Sequence, residues 1–113
     1  MSSLPLKTYL RTHRRRTGLS QRDVAFLLGG ESGTVISRHE RGRRMPVLET
    51  ALAYELIYRV SVRSLYAGAC RGVQISLRGR AARLHRELCS QSSSTRRKRK
   101  IAVLARIVDE LAP

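Results

Sequence analysis

The sequence predicts an all-α protein: five short helices building a small N-terminal domain, then two amphipathic helices as a C-terminal extension. Three observations predict it. Apolar residues recur at spacings of three and four along most of the 113 residues, and no segment reads as a strand. Gly18, Gly29–Gly30 and Pro46 interrupt the first half at intervals that leave room only for short helices. Charge is partitioned: residues 1–44 carry ten Lys/Arg against three Asp/Glu, residues 45–70 two against two, and residues 71–113 eleven against three. Two basic blocks, of +7 and +8, flank a neutral middle that is free to build core.

The first helix is expected from Pro5 to Thr17, with Pro5 in the first turn, Leu6 and Leu10 buried, and Gly18 just past the end. Ser20 precedes the apolar run Val24, Ala25, Leu28, and Asp23 follows it by three. The serine therefore caps a second helix whose first turn also carries an acid. Gly29 and Gly30 can take the positive φ angles that end this helix and turn the chain. Ser32 caps the third helix, at about residues 33–41. Val35, Ile36 and His39 lie on one face of it, and Gly33, Thr34, Ser37 and Arg38 on the other. Small and basic side chains on a projecting helix suit a DNA major groove about 12 Å wide, where bulky apolar or acidic groups would block the base edges.

After Pro46 a fourth helix is expected from Leu48 to Tyr58, with Leu52, Tyr54, Ile57 and Tyr58 as core candidates. A short fifth follows from Val62 to Ala67, contributing Val62 and Leu65. In the tail, Leu77, Ala81, Leu84 and Leu88 form one apolar stripe, and Ile101, Leu104, Val108 and Leu111 form another. Ser90 to Lys100 (SQSSSTRRKRK) reads as a hinge leading into the last helix. The tail either packs on its own domain or pairs with a second copy through Leu77, Leu84, Leu88, Ile101, Leu104, Val108 and Leu111. The second arrangement is the working expectation. Phe26 and Leu27 on helix two and Leu56 on helix four place apolar groups on outer faces that the tail or a second subunit is expected to cover, and helix four becomes the dimer surface if the tail does not dimerise.

Gln21, Val24, Ala25, Leu28, Gly29–Gly30, Ser32, Ile36, Ser37, Arg38, Glu40, Gly42 and Pro46 stand in the order, and nearly the spacing, of a bacterial helix-turn-helix. Over residues 4–68 the chain resembles the lambda-repressor/Cro-like family of DNA-binding regulators. The resemblance implies a five-helix lambda-repressor-like domain and double-stranded DNA as partner. It assigns Gly33, Thr34, Ser37 and Arg38 to base readout, with Arg38 best placed to bond guanine. It assigns Gln21, Arg41, Arg43 and Arg44 to phosphate, joined by Arg15 and Arg16, and makes Arg14 and Glu40 a structural ion pair. Two departures stand out: the turn at Gly30–Glu31 is one residue longer than the family pattern, and Gly33 and Thr34 replace the longer base readers often found there. Residues 71–113 lie outside the pattern.

The remaining composition narrows the function classes. No Ser/His/Asp set, carboxylate pair or phosphate-cradling loop suggests an enzyme, and no cofactor is expected. Cys70 and Cys89 lack the CxxC spacing, so free thiols are expected. His85 and Cys89 sit i, i+4 without the second pair that a tetrahedral metal site needs, and no metal is expected. The N-terminus has no signal-peptide core, no run approaches a membrane span, and a cytoplasmic protein is expected. The sequence thus points to a sequence-specific transcriptional regulator, expected to be a dimeric repressor of bacterial or phage origin. The alternatives are an antitoxin-type module that holds a protein partner with its tail, and a weakly specific architectural nucleic-acid binder.

Overall fold

The computed structural model of the chain describes residues 7–91 and 94–113. It is all-helical there, with α1 Leu10–Thr17, α2 Gln21–Leu27, α3 Gly33–Glu40, α4 Leu48–Tyr58, α5 Val62–Leu65, α6 Ala67–Cys89 and α7 Thr95–Glu110. The helices fall into two compact units, the first ending at Cys70 and the second running from Arg71 to Pro113.

Caps and turns follow local chemistry. Ser20 Oγ accepts the Asp23 N–H at 3.0 Å, while the Asp23 carboxylate accepts the Ser20 N–H at 2.9 Å, closing a reciprocal capping box on α2. The Ser20 N–H, and after it the Ser20 hydroxyl, hold the Asp23 carboxyl below its ordinary pKa. Gly29 and Gly30 take φ of 94° and 92° between α2 and α3, angles that a side chain would resist. Ser32 then caps α3 by accepting the Val35 N–H. Gly18 closes α1 in the left-handed region.

The first unit packs α2 on α3, and α1 on both α3 and α4, with α5 closing against α4. Leu10, Val24, Ala25, Ile36, Tyr54, Tyr58, Leu65 and Tyr66 make its core, and Leu19, Leu28, Ile57, Val60 and Val62 pack around them. Burial raises the Tyr58 hydroxyl to about 12 and moves those of Tyr54 and Tyr66 upward as well.

Four expectations need correction. The first helix starts at Leu10, not Pro5: the Tyr9 N–H donates to Leu65 O and the Leu10 N–H to Thr8 Oγ1, so residues 7–9 are held as a non-helical lead-in. Pro5 and Leu6 lie outside the described residues. Leu52 is not core. The inward side of α4 is Ala51, Tyr54 and Tyr58, which leaves Leu52 46% and Leu56 79% exposed. The fifth helix ends at Leu65, because Tyr66 leaves helical geometry and α6 begins at Ala67. Finally, Thr95–Lys100 is helix rather than hinge, started by Ser94 Oγ accepting the Arg97 N–H.

The second unit is a hairpin of α6 and α7. Ala81 is its buried residue. The Arg78 guanidinium bridges them by donating to Val108 O at 3.0 Å. Leu88, Ile101, Leu104, Val108 and Leu111 are partly buried, whereas Leu77 and Leu84 are each 45% exposed.

Candidate nucleic-acid interface

The amphipathic register of α3 positions the candidate site. Ile36 and His39 are buried, and His39 Nδ1 lies 2.8 Å from the hydroxyl of Tyr54, with the two rings edge to face. Burial holds the His39 imidazole below its ordinary pKa, and the charge of Arg44 pushes the same way. With that face anchored, Thr34 and Arg38 are exposed, and Gly33 and Ser37 are partly so. The helix is about 12 Å long at 1.5 Å per residue, short enough to lie within a major groove.

Gly33, Thr34, Ser37 and Arg38 line a shallow groove together with Gln21 and Arg41, so the first residue of α2 and the outer face of α3 form one surface. Arg41 is the C-cap of α3. Gly42, at φ 72°, then turns the chain so that the Arg43 N–H reaches back to Arg38 O at 2.9 Å. Arg41, Arg43 and Arg44 follow one another as an exposed basic loop continuous with the groove.

A polar knot lies under this surface. Arg14 Nε donates to Glu40 Oε2 at 2.6 Å and Arg14 Nη2 to Glu40 Oε1 at 3.2 Å, while the third nitrogen, Nη1, donates to Leu19 O. Gln21 Nε2 adds a bond to Glu40 Oε1 at 3.1 Å. The Arg14 and Glu40 side chains are only 12% and 2% exposed, and the bonds to Glu40 raise the Arg14 pKa. One acid in a cationic surface is thereby drawn inward and neutralised, and α1, α2 and α3 are tied at a single point. Gln21 consequently spends its amide N–H on Glu40 and presents its remaining edge to the groove.

Arg15 and Arg16 are exposed but line neither of the two grooves around α3. Arg11, not singled out from the sequence, does: it shares a concavity with Arg14, Gln21, Ser37, Glu40 and Arg41. Its position, one helical turn before Arg14, was the available signal. His85 and Cys89 approach within 3.7 Å, and among the described residues no group of three or more His, Cys, Asp or Glu gathers to hold a metal. Also among the described residues, no helix is long and apolar enough to cross a membrane.

Two short helices joined by a sharp turn, with the second anchored by one face and free on the other, define a helix-turn-helix protein of the DNA-binding class. Residues 6–64, just over half of the chain, match the family model of the helix-turn-helix domain, and the chain belongs to that family. Comparison with curated proteins and with solved structures returned no match.

Proposed function

We propose that this helix-turn-helix protein is a sequence-specific transcriptional repressor of the lambda-repressor/Cro type, binding a palindromic operator as a homodimer in the cytoplasm of a bacterium. The observation that carries the reading is the groove of Gln21, Gly33, Thr34, Ser37, Arg38 and Arg41, free of acidic and bulky apolar side chains and continuous with the Arg43–Arg44 loop. Arg38 supplies a guanidinium fork that fits the O6/N7 edge of guanine, and Thr34 and Ser37 supply hydroxyls to neighbouring bases. Gly33 lets the helix start approach the bases closely. Arg41, Arg43 and Arg44 hold phosphates, which sets register without reading sequence. In this reading residues 4–68 are the DNA-binding domain and residues 71–113 an interaction extension.

Two surfaces compete for the dimer contact. The tail stripes meet only partly within their own hairpin, but pairing two tails brings together two segments of net charge +8. Leu48, Leu52 and Leu56 recur every fourth residue on the exposed side of α4, inside the charge-neutral stretch 45–70. Self-association there meets no comparable repulsion, and α4 is the favoured contact.

Selection of bound duplexes from a random DNA pool tests the function. A palindromic motif with half-sites one or more helical turns apart, ~34 Å per turn, is the expected result. High affinity without enrichment would identify an architectural binder instead, and no duplex binding at low salt would remove the reading.

A further inference from the structure

The C-terminal hairpin carries a surface that DNA recognition leaves unexplained. Near its turn Leu84 and Leu88 of α6 face Val103 and Leu104 of α7 across a cleft of about 490 Å³, rimmed by Arg96, Arg99 and Lys100. Residues 96, 99, 100, 103 and 104 are one face of α7, cationic in its first turns and apolar beyond. The floor is incompletely covered, with Leu84 and Val103 both about half exposed.

We propose that this cleft docks an acidic amphipathic helix of a partner protein, apolar side chains entering the floor and carboxylates meeting the rim. Three occupants can be compared by chemistry. A nucleic-acid backbone would match Arg96, Arg99 and Lys100 but leave the apolar floor in water. A second hairpin would match the floor but bring like charges together at the rim. An acidic amphipathic helix satisfies both, in the helix-in-groove mode. A small ligand fits less well, since the cleft is open to solvent whereas small-molecule sites bury most of their ligand. The first turns of α7 add a further reason. They hold five consecutive cations, Arg96 to Lys100, and no acid, against the positive end of the helix dipole. Carboxylates placed there relieve repulsion that the free hairpin carries.

The full chain and a designed peptide test the proposal. The probe is a helical peptide of about twenty residues with Leu at the i, i+3, i+4, i+7 positions and Glu on the flanking faces. Its binding is read by fluorescence anisotropy at physiological salt. A scrambled peptide of the same composition, which keeps the charge but loses the apolar face, should bind about tenfold or more weakly. Val103→Glu, and separately the double change Arg99→Glu with Lys100→Glu, should each weaken the amphipathic peptide about tenfold or more. Arg80→Glu, on the exposed side of α6, should not. Equal binding of the scrambled peptide, or an affinity insensitive to Val103→Glu in a chain that stays helical by circular dichroism, would overturn the proposal and leave a non-specific polyanion site. Loss of affinity on Arg80→Glu as large as that on the rim change would overturn it too. Operator binding by the Val103→Glu chain is expected unchanged, so failure of the cleft is separable from failure of the DNA reading.

Discussion

Replacing Glu40 with Ala tests the knot on which the reading surface rests. The carboxylate accepts three hydrogen bonds, two from Arg14 and one from Gln21, and is 2% exposed. Truncation leaves the Arg14 guanidinium, itself only 12% exposed, with Leu19 O as its remaining protein partner. Removing one member of a buried pair typically costs about 3–5 kcal/mol, because the surviving charge is desolvated without compensation. For a unit of this size each kcal/mol lowers Tm by roughly 4–8 °C, so a fall of roughly 12 °C or more is expected. That loss is a large part of the ~5–15 kcal/mol available to a natural protein. Glu40→Gln keeps the shape and one acceptor oxygen and should fall between wild type and Glu40→Ala. The pair Arg14→Leu with Glu40→Leu should be less damaging than the sum of the single changes, since no buried charge is then stranded. Thermal melts without DNA, followed by circular dichroism, decide the matter. A Tm unchanged within error on Glu40→Ala, or strict additivity of the two leucine changes, would refute the argument that this pair organises α1, α2 and α3.

Three further outcomes are expected. Arg43→Ala should weaken all duplexes alike, whereas Arg38→Ala should relax preference at one base pair by about 1–3 kcal/mol. Wild-type affinity should fall about 10³- to 10⁵-fold between 50 and 200 mM salt, and salt titrations against matched and mismatched operators read both effects. His39 gives a pH signature. Its pKa in the folded chain lies below the 6.5 of the unfolded one, so the unfolded state binds more protons in the window just below 6.5. Stability should be full above pH 6.5 and decline as pH falls below it, and His39→Gln should flatten that part of the Tm–pH curve. Light scattering on the full chain should show a dimer that Leu52→Glu with Leu56→Glu converts to monomer. A chain ending at Cys70 that becomes monomeric while the double variant stays dimeric would return the contact to the tail.

Much of the fold was legible because its signals are local. Ser20 with Asp23, Ser32, Gly18 and Gly29–Gly30 end or begin helices through bonds and backbone angles a few residues apart, and the structure realises each of them. The buried register of α3 was equally legible, since Ile36 and His39 share a face by periodicity alone. The start of α1 was not, because it depends on the Tyr9 N–H reaching Leu65, far along the chain. Ser90–Lys100 misled for a different reason: five cations suggest a solvated hinge, yet one capping serine at position 94 starts a helix through them.

Composition and periodicity determined that the chain is all-helical, strongly basic at both ends and built around a helix-turn-helix, since charge and helical pattern belong to each residue and its near neighbours. Which side of α4 faces inward was beyond them. A helix apolar nearly all round has no preferred face until Tyr54 and Tyr58 find the core and leave Leu52 and Leu56 outside. Gln21 and Arg14 meeting on Glu40, Arg11 entering the groove beside α3, and Leu84 facing Val103 beside a cationic rim likewise arise only when separate helices pack. Those positions are set by tertiary contacts between residues distant in sequence, and no local pattern encodes them.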